Sequence, residues 1–350
     1  MNKLVEIDGR TIGPGHQTLV VAEAGINHNG SLDLAREMIA VAARCGADAV
    51  KFQAYHAEEF LSSKDLTYTY HSQGDQITES QYDMFKRNEF GRRELEILHD
   101  ECGRHGVIFL CTATDTEACR ALVEMGVGAI KVGSDDLVHH PMLCEFAKAG
   151  KPLILSTGMA DLEEIRRTVG VIEKAGAAEI VLLHCTSMYP TPEDRANILC
   201  IETLHREFEC PVGYSDHTFG ISAAVGAIAL GACLVERHFT LDRQLPGPDH
   251  AFSADPTTLA AMVQAVRTME GNLGSADVRP TPEELDMRAI ARRSVVARDA
   301  IAVGTSLTPQ HFAYKRPGTG IAPMDGHLLL GRRTSRDLAA GELITFGVVE

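Results

Sequence analysis

The sequence predicts an α/β protein: a (β/α)8 barrel, known as a TIM barrel, followed by a small, mostly β module. Three observations lead to this prediction. Eight short runs rich in Val, Ile and Leu occur before about residue 240, amphipathic segments separate them, and nearly every run ends in a polar side chain. Strands that alternate with helices form parallel βαβ units, and eight such units close a barrel. A doubly wound open sheet is the competing architecture.

The eight apolar runs are the predicted strands. They occupy residues 18–24, 48–53, 107–112, 129–133, 152–156, 180–185, 211–215 and 232–238. The segments between them have helical period, as in 32–46 and 161–176, and both of these end at a glycine, which suits a helix C-terminus. Ser31 and Asp161 stand where the N-caps of these two helices are expected.

The polar residues that end the runs favour the barrel over the open sheet. In a barrel, the carboxyl ends of all strands converge on one mouth, so residues distant in the sequence become neighbours there. A purely structural core would have apolar or small residues at most of these positions. The polar strand ends are Glu23, Lys51, Gln53, Thr112, Lys131, Ser134, Ser156, His184, Ser215, His217, Glu236 and His238.

Two segments depart from the alternating pattern. Residues 54–90 are too long for an ordinary connection between a strand and a helix, and we expect them to form a lid or subdomain over the mouth. Frequent Gly and Pro and the lack of a long helical pattern mark the C-terminal part. We therefore divide the chain into a barrel domain (1–272), a linker (273–287) and a small β module (288–350).

Composition excludes several classes of function. The formal net charge of −15 argues against general binding to nucleic acid, although a local group of lysines can still attract a small anion. No run of eighteen apolar residues predicts a membrane span, and the N-terminus lacks the pattern of a signal peptide. The nine cysteines form no CxxC pair, which is typical of reduced thiols in the cytoplasm.

His217 and His238 are the strongest candidates for metal ligands. Each stands at the end of an apolar run, and the two runs are consecutive along the chain. Neutral imidazoles bind divalent transition metals, and Glu23 and Asp249 offer oxygen atoms as ligands or as acceptors behind the ligands. Such a mixed set suits Mn²⁺, with Mg²⁺ and Co²⁺ as alternatives. The competing interpretation is that one or both histidines are hydrogen-bonded structural groups.

Two lysines suggest an anion site. Lys51 and Lys131 end apolar runs, so each ammonium group must find a counter-charge at the mouth. Together with the hydroxyls of Ser134, Ser156 and Ser215, they predict a cradle for phosphate and carboxylate groups. A buried structural ion pair with an acid such as Glu23 is the alternative.

Eight motifs, in order over almost the whole chain, resemble those of the sialic acid synthase family, which makes nonulosonic acids from phosphoenolpyruvate and a hexosamine-type sugar. The resemblance implies a (β/α)8 barrel and a C-terminal antifreeze-like domain called SAF. The motifs are AEAGINHNG (22–30), DAVKFQ (48–53), KVGSDD (131–136), ILSTGM (154–159), LLHCTSMYPTP (182–192), VGYSDHT (212–218), ERHFTLDRQLPGPDHAFS (236–253) and KRPGTGI (315–321).

The resemblance also implies roles for individual residues. His217 and His238 match the metal ligands, Glu23 an acid acting at the metal or the sugar, and Asp249 an acid near the metal-bound water. Arg316 matches an arginine that the SAF domain of one subunit of a homodimer inserts into the partner's barrel. Phosphoenolpyruvate is expected to contact Lys51, Thr112, Lys131, Ser134, Ser156 and Ser215, and the sugar Gln53, Ser187 and Tyr189.

The implied reaction joins phosphoenolpyruvate to an open-chain N-acetylhexosamine and releases phosphate by C–O cleavage. N-acetylmannosamine is the default acceptor. Ser187 replaces an Asn of some members, and Asp135-Asp136 replaces the commoner Gly followed by an acid. These departures leave open a 2,4-diacetamido-2,4,6-trideoxyhexose, which would give legionaminic or pseudaminic acid. More distant alternatives are a non-catalytic sugar-binding or metal-binding homologue and a 3-deoxy-sugar-phosphate synthase, although the latter needs a second basic cluster that is not apparent.

Overall fold

The computed structural model describes residues 4–177 and 179–350. The chain divides into two compact units, Met1–Gly274 and Ser275–Glu350. The strands, in chain order, are β1 (Val5–Ile7), β2 (Arg10–Ile12), β3 (Leu19–Gly25), β4 (Ala49–Ala54), β5 (Thr67–Ser72), β6 (Asp75–Ser80), β7 (Ile108–Ala113), β8 (Ile130–Val132), β9 (Leu153–Ser156), β10 (Ile180–Cys185), β11 (Val212–Asp216), β12 (Leu234–His238), β13 (Ser294–Ala297) and β14 (Phe312–Lys315).

Eight of these strands close a parallel barrel in the order β3, β4, β7, β8, β9, β10, β11, β12, with β12 hydrogen-bonded back to β3. The barrel confirms the predicted fold class and excludes the open sheet. The helices are α1 (Leu32–Arg44), α2 (Ala57–Phe60), α3 (Gln81–Asn88), α4 (Arg92–His105), α5 (Thr116–Met125), α6 (His140–Ala147), α7 (Leu162–Ala175), α8 (Cys200–Glu207), α9 (Ser222–Ala229), α10 (Pro256–Leu273) and α11 (Pro282–Ala291).

The predicted helix caps are present. The Ser31 side chain accepts a hydrogen bond from the Leu34 amide at the start of α1. At the start of α7, Asp161 and Glu164 form a reciprocal capping box, and Gly176 ends this helix in the left-handed conformation. These caps satisfy amides and carbonyls that would otherwise lack partners at the helix ends.

Two apolar layers hold the barrel together. One lies between the strands and the surrounding helices and includes Val50, Phe52 and Leu182. The other fills the amino-terminal half of the barrel interior, where the β1–β2 hairpin contributes Val5 and Ile7. The inward residues of this second layer include Leu19, Val21, Ala49, Leu110, Ala129, Ile154, Val181, Leu183 and Leu234.

Strand alternation then makes the carboxyl half of the interior polar. Side chains two residues apart face the same side of a strand, so the inward apolar residues early in a strand can be followed by inward polar ones near its end. On β3, for example, Leu19 and Val21 are followed by Glu23, and on β12 Leu234 is followed by Glu236 and His238. The fold therefore presents polar groups from many strands at a single mouth.

Residues 54–90 contain α2, the antiparallel β5–β6 hairpin and α3. The hairpin is tied to the loop after β12, because the Gly247 amide donates to Ser72 Oγ at 3.1 Å and Gln73 Nε2 donates to the Gln244 carbonyl at 3.0 Å. The segment thus reaches the carboxyl side of the barrel, where the prediction placed it.

The C-terminal unit contains α11, the antiparallel β13–β14 pair and short 3-10 turns around a small core that includes Val295, Phe312 and Ile344. This composition agrees with the predicted small, strand-containing module. Within the described residues, no helix is both long and apolar enough to cross a membrane.

Candidate active site

A cavity of about 630 Å³ opens at the carboxyl ends of the barrel strands. Thirteen of the fourteen predicted site residues line it. They are Glu23, Lys51, Gln53, Thr112, Lys131, Ser134, Ser156, Ser187, Tyr189, Ser215, His217, His238 and Asp249. The fourteenth, Arg316, follows β14 in the C-terminal unit, and its predicted place in the site of a partner subunit stays a prediction.

Lys51 lies at the centre of a buried charge cluster. Its Nζ is 2.9 Å from Glu23 Oε2 and 3.7 Å from Glu236 Oε2, and it donates to Thr112 Oγ1 at 3.1 Å. Burial alone would lower the pKa of Lys51, but the two carboxylates outweigh it and raise that pKa. The ion pair between Lys51 and Glu23, which the structural alternative predicted, is therefore present inside the cavity itself.

Lys131 has a different environment. Its Nζ donates to Ser156 Oγ and to the Val132 carbonyl, both at 2.8 Å. Burial lowers the pKa of Lys131, with Glu236 opposing. In the described part of the chain, no carboxylate lies within 4 Å of this ammonium group, so its charge is available to an incoming anion.

Near Lys131, backbone and hydroxyl groups lie close together at the cavity wall. The Gly158 amide donates to Ser134 Oγ at 3.0 Å. A side chain at position 158 would place its Cβ 2.2 Å from Ser187 Oγ and 2.8 Å from Ser134 Oγ, so any larger residue would have to displace these hydroxyls. The predicted phosphate cradle is thus a compact group of hydroxyls next to one lysine that lacks an acidic partner.

The two predicted metal ligands lie side by side. The ring centroids of His217 and His238 are 5.4 Å apart. His217 Nδ1 is 3.0 Å from the Thr186 carbonyl, which can only accept, so Nδ1 carries a proton. Burial alone would lower the pKa of His217, but the contact with Cys185 outweighs it and raises that pKa, so Nε2 offers a lone pair once the ring loses its second proton. The pKa of His238 is well below its ordinary value because the ring is buried and near His217 and Lys51. Its neutral imidazole can therefore act as a ligand.

The geometry fits a divalent ion held by the two histidines. His238 Nδ1 is a buried atom without a hydrogen-bond partner, 3.6 Å from Asp249 Oδ2. An unpartnered ring nitrogen beside a second histidine is a typical arrangement of metal-binding side chains. No group of three or more His, Cys, Asp or Glu residues suited to a metal occurs within residues 4–177 and 179–350, so substrates or water would complete the coordination.

Glu23 is engaged elsewhere in the cavity. In addition to its ion pair with Lys51, it accepts a hydrogen bond from Gln53 Nε2 at 3.1 Å. Burial raises the pKa of Glu23, and the charge of Lys51 opposes that rise. These contacts suit a proton carrier better than the alternative role of a third metal ligand.

The sequence-based assignment missed several residues of the cavity. Glu236 is a polar strand end for which the sequence predicts no role, yet it accepts from Ser215 Oγ at 3.0 Å, and the charges of Lys51 and Lys131 outweigh its burial and lower its pKa. Its place two residues before His238 on β12 was the available signal. The outer wall, which residues 54–90 supply, carries Tyr55, Phe60, Tyr68, Met84 and Phe85, and no strand pattern pointed to them.

Two further histidines hold loops next to the site. His28 Nδ1 accepts from the Gly30 amide at 3.1 Å, and its ring stacks on Phe90. His250 follows Asp249 and has its Nδ1 2.7 Å from Thr240 Oγ1. Burial lowers the pKa of His28 to about 3 and that of His250 to about 4. Both rings are therefore neutral near pH 7.

Comparisons with known proteins agree with this architecture. Residues 38–278 match the model of the NeuB family, and residues 292–350 match that of the SAF domain. An uncharacterized protein of Methanocaldococcus jannaschii is 42% identical, with 97% of each chain covered. N,N'-diacetyllegionaminic acid synthase of Legionella pneumophila is 37% identical, covering 97% of this chain and 96% of that one.

A crystal structure of N-acetylneuraminic acid (sialic acid) synthetase from Leptospira borgpetersenii, in complex with citrate, is also similar. It superposes with a TM-score of 0.74 at 34% identity and covers 82% of this chain and 95% of that one.

Acidification should destabilise the barrel through His250. Because the pKa of His250 is about 4 in the folded protein and near 6.5 when unfolded, the unfolded chain binds the proton more tightly. The contribution of His250 to the free energy of unfolding is complete above about pH 6.5. It falls by roughly 3 kcal/mol as the pH drops to 4. In urea unfolding from pH 7 to pH 4, His250→Gln should show a shallower loss of stability than the wild type.

The exposed His16 provides the control, since His16→Gln makes the same substitution at the surface. If the free energy of unfolding falls equally steeply with pH in His250→Gln and in the wild type, the lowered pKa of His250 is contradicted.

Proposed function

We propose that the chain, which belongs to the NeuB family, condenses phosphoenolpyruvate with the open-chain form of an N-acetylated hexose to make a nine-carbon nonulosonic acid. One observation carries this proposal. A single cavity combines a lysine that has no acidic partner among the described residues, a group of hydroxyls and a pair of adjacent histidines. A phosphorylated, carboxylated donor and a polarised aldehyde need these groups side by side.

The donor is held by the lysine side of the cavity. The ammonium groups of Lys51 and Lys131, with the hydroxyls of Thr112, Ser134 and Ser156, balance the charges of the phosphate and carboxylate. Because Glu23 and Glu236 both pair with Lys51, binding depends on the approach of the anion to Lys131. Ser215, which donates to Glu236, completes the cradle.

The acceptor lies on the histidine side. His217 and His238 would hold a divalent ion, with Mn²⁺ proposed and Mg²⁺ or Co²⁺ as alternatives, which supplies Lewis-acid polarisation of the aldehyde oxygen. C3 of phosphoenolpyruvate forms the new bond to the aldehyde carbon, and Glu23 delivers a proton to the oxygen that becomes a hydroxyl. Gln53, Ser187 and Tyr189 contact the sugar.

The remaining steps release phosphate. Bond formation at C3 leaves C2 electron-poor, and water adds there while Asp249 accepts its proton. The tetrahedral C2 then expels phosphate as the C–O bond breaks, and the C2 hydroxyl passes its proton to the departing phosphate, which leaves the ketone of the product. Lys131 and the neighbouring hydroxyls hold the departing phosphate.

The acceptor sugar is proposed to be uncharged. Among the described residues that line the cavity, Lys51 and Lys131 are the only lysines or arginines, and both are needed by the donor. N-acetylmannosamine is the default acceptor. A 2,4-diacetamido-2,4,6-trideoxyhexose is the second candidate, since the apolar outer wall suits a methyl group and the relative from Legionella is named a legionaminic acid synthase.

A panel of sugars tests the reaction and the acceptor together. With phosphoenolpyruvate and Mn²⁺, we expect phosphate release that depends on N-acetylmannosamine or on the diacetamido sugar, and a product of the corresponding nonulosonic mass. N-acetylmannosamine 6-phosphate should be a poorer substrate than the unphosphorylated sugar, because the donor occupies Lys51 and Lys131 and Arg316 is proposed to bind the acyl carbonyl. Preference for the phosphorylated sugar would refute the uncharged acceptor, and no product from any sugar would refute the reaction.

The metal proposal predicts that a chelator abolishes activity and that Mn²⁺ restores it. His217→Ala and His238→Ala should each lose bound metal while the barrel stays folded, as judged by metal analysis and circular dichroism. His16→Ala, at an exposed position, should keep both metal and activity. Full activity in the chelated enzyme would eliminate the metal role.

The two lysines should respond differently to substitution. Lys131→Met should lower kcat/KM for phosphoenolpyruvate roughly 100-fold, since a charged hydrogen bond contributes about 2–3 kcal/mol, and it should cost little stability. Lys51→Met leaves Glu23 and Glu236 without their shared cation, so it should also lower stability, by about 3–5 kcal/mol. Kinetics and urea unfolding measure both effects. An unchanged KM for phosphoenolpyruvate in Lys131→Met would contradict the cradle.

We also propose a homodimer in which the C-terminal unit of one subunit supplies Arg316 to the partner's barrel. Helix α11 supports this, because none of its residues is buried and Leu285, Met287 and Ile290 are 49%, 59% and 64% exposed. Such an apolar surface is typical of a helix that packs against another chain. The planar guanidinium of Arg316 suits hydrogen bonds to an acyl carbonyl.

Mixing two inactive variants tests the crossing. Arg316→Ala and Lys131→Ala homodimers should each be nearly inactive. A mixed dimer pairs one intact barrel with one intact arginine from the other chain, so random exchange of subunits should restore about a quarter of the wild-type activity. If mixed dimers form, as shown by native mass spectrometry, without recovery of activity, then Arg316 does not act across the interface.

A further inference from the structure

Arg237 and Asp216 form an ion pair directly behind the two histidines. Asp216 precedes His217, Arg237 precedes His238, and the two residues are register partners on the neighbouring strands β11 and β12. Their side chains are 0% and 1% exposed. Neither lines the cavity, which follows from strand alternation, since His238 and Glu236 point inward and Arg237 points outward.

The pair is connected to the backbone around His217. Arg237 Nη1 lies 2.8 Å from Asp216 Oδ2, and Nη2 donates to the Phe219 carbonyl at 2.9 Å. The guanidinium also donates to the carbonyls of Thr218 and Gly220. One arginine therefore binds three consecutive carbonyls of the turn that follows His217.

Asp216 also binds the backbone next to His217. Its Oδ1 accepts from the Thr218 amide at 2.9 Å and from Tyr214 Oη at 3.3 Å. Both carboxylate oxygens are thus satisfied, as is the charge of Arg237. Burying two charges costs free energy unless such partners exist. The ion pair and its hydrogen bonds are therefore held in one geometry.

We propose that Arg237 and Asp216 are positioning residues that set the spacing of His217 and His238. The inference rests on the proposed metal role of these histidines. The ion pair joins the strand that carries His238 to the turn that carries His217, and the hydrogen bond from His217 Nδ1 to Thr186 then orients the ring. A small displacement of the turn would change the 5.4 Å separation of the rings.

Lysine cannot reproduce the arrangement. A guanidinium offers five N–H donors in a planar fork, whereas an ammonium group offers three around a point. Arg237→Lys keeps the charge opposite Asp216 but cannot bond the carboxylate and all three carbonyls. It therefore tests positioning without leaving an unpaired buried acid.

Arg267 provides a matched control in the same unit. It pairs with Asp48 Oδ2 at 2.5 Å and donates to the Thr18 carbonyl at 2.8 Å, near the amino ends of β3 and β4. Arg267→Lys thus weakens a comparable ion pair that has no contact with the histidines. Any general effect of losing a guanidinium should occur in both variants.

The experiment measures the affinity of metal-stripped full-length protein for Mn²⁺ by titration calorimetry, alongside thermal unfolding without metal. Arg237→Lys should weaken Mn²⁺ binding about 10- to 100-fold, the usual effect of losing a group that orients a ligand, and Arg267→Lys should leave it unchanged. In nitrogen-15 spectra of the metal-free imidazoles, the His217 Nδ1 proton signal should shift in Arg237→Lys only.

Each outcome decides between positioning and simple stabilisation. Lower thermal stability with an unchanged Mn²⁺ affinity and an unchanged His217 signal would overturn the inference and leave the metal site intact. Equal losses of affinity in both lysine variants would also overturn it. If Arg237→Lys fails to fold, Asp216→Asn, which keeps the size of the side chain, carries the same expectations. A wild-type protein that binds no Mn²⁺ would instead refute the metal part of the proposed function.

Discussion

Closure of the parallel barrel is the constraint on which the rest of the structure depends. Because β12 pairs with β3, every strand has one face that points into the interior, and side chains two residues apart share that face. The amino half of this interior is apolar and is closed by the β1–β2 hairpin. The carboxyl half can therefore collect polar groups while the packed half below it maintains the fold.

Charge balance decides which polar groups remain available for ligands. Lys51 is shared by Glu23 and Glu236, whereas Lys131 contacts a hydroxyl and a carbonyl. A buried ammonium group without a carboxylate is unfavourable in the empty protein, and an anionic donor relieves that cost on binding. The same cavity thus contains an ion pair at Lys51 and, at Lys131, the cation that we propose binds the donor.

The histidine side depends on groups outside the cavity. Thr186 sets the tautomer of His217, and the ion pair of Asp216 with Arg237 holds the neighbouring backbone. Residues 54–90 add an apolar outer wall, and the Ser72 contact with Gly247 ties that wall to the loop before Asp249. The outer wall of the cavity therefore comes from a segment that is separate in sequence from the strands that carry the two lysines.

The sequence by itself determined the barrel, its eight strands and the side chains that face its mouth, because strand period and strand order follow from local hydrophobic pattern. Ten of the thirteen predicted site residues in the cavity stand at or next to strand ends, whereas Ser187, Tyr189 and Asp249 lie in the loops after β10 and β12. Only the tertiary structure decided which charges pair. Glu236 and Lys51 are distant in sequence, and their 3.7 Å contact arises from barrel closure. Likewise, the aromatic wall depends on how a hairpin folds back over the mouth, and no local pattern specifies that packing.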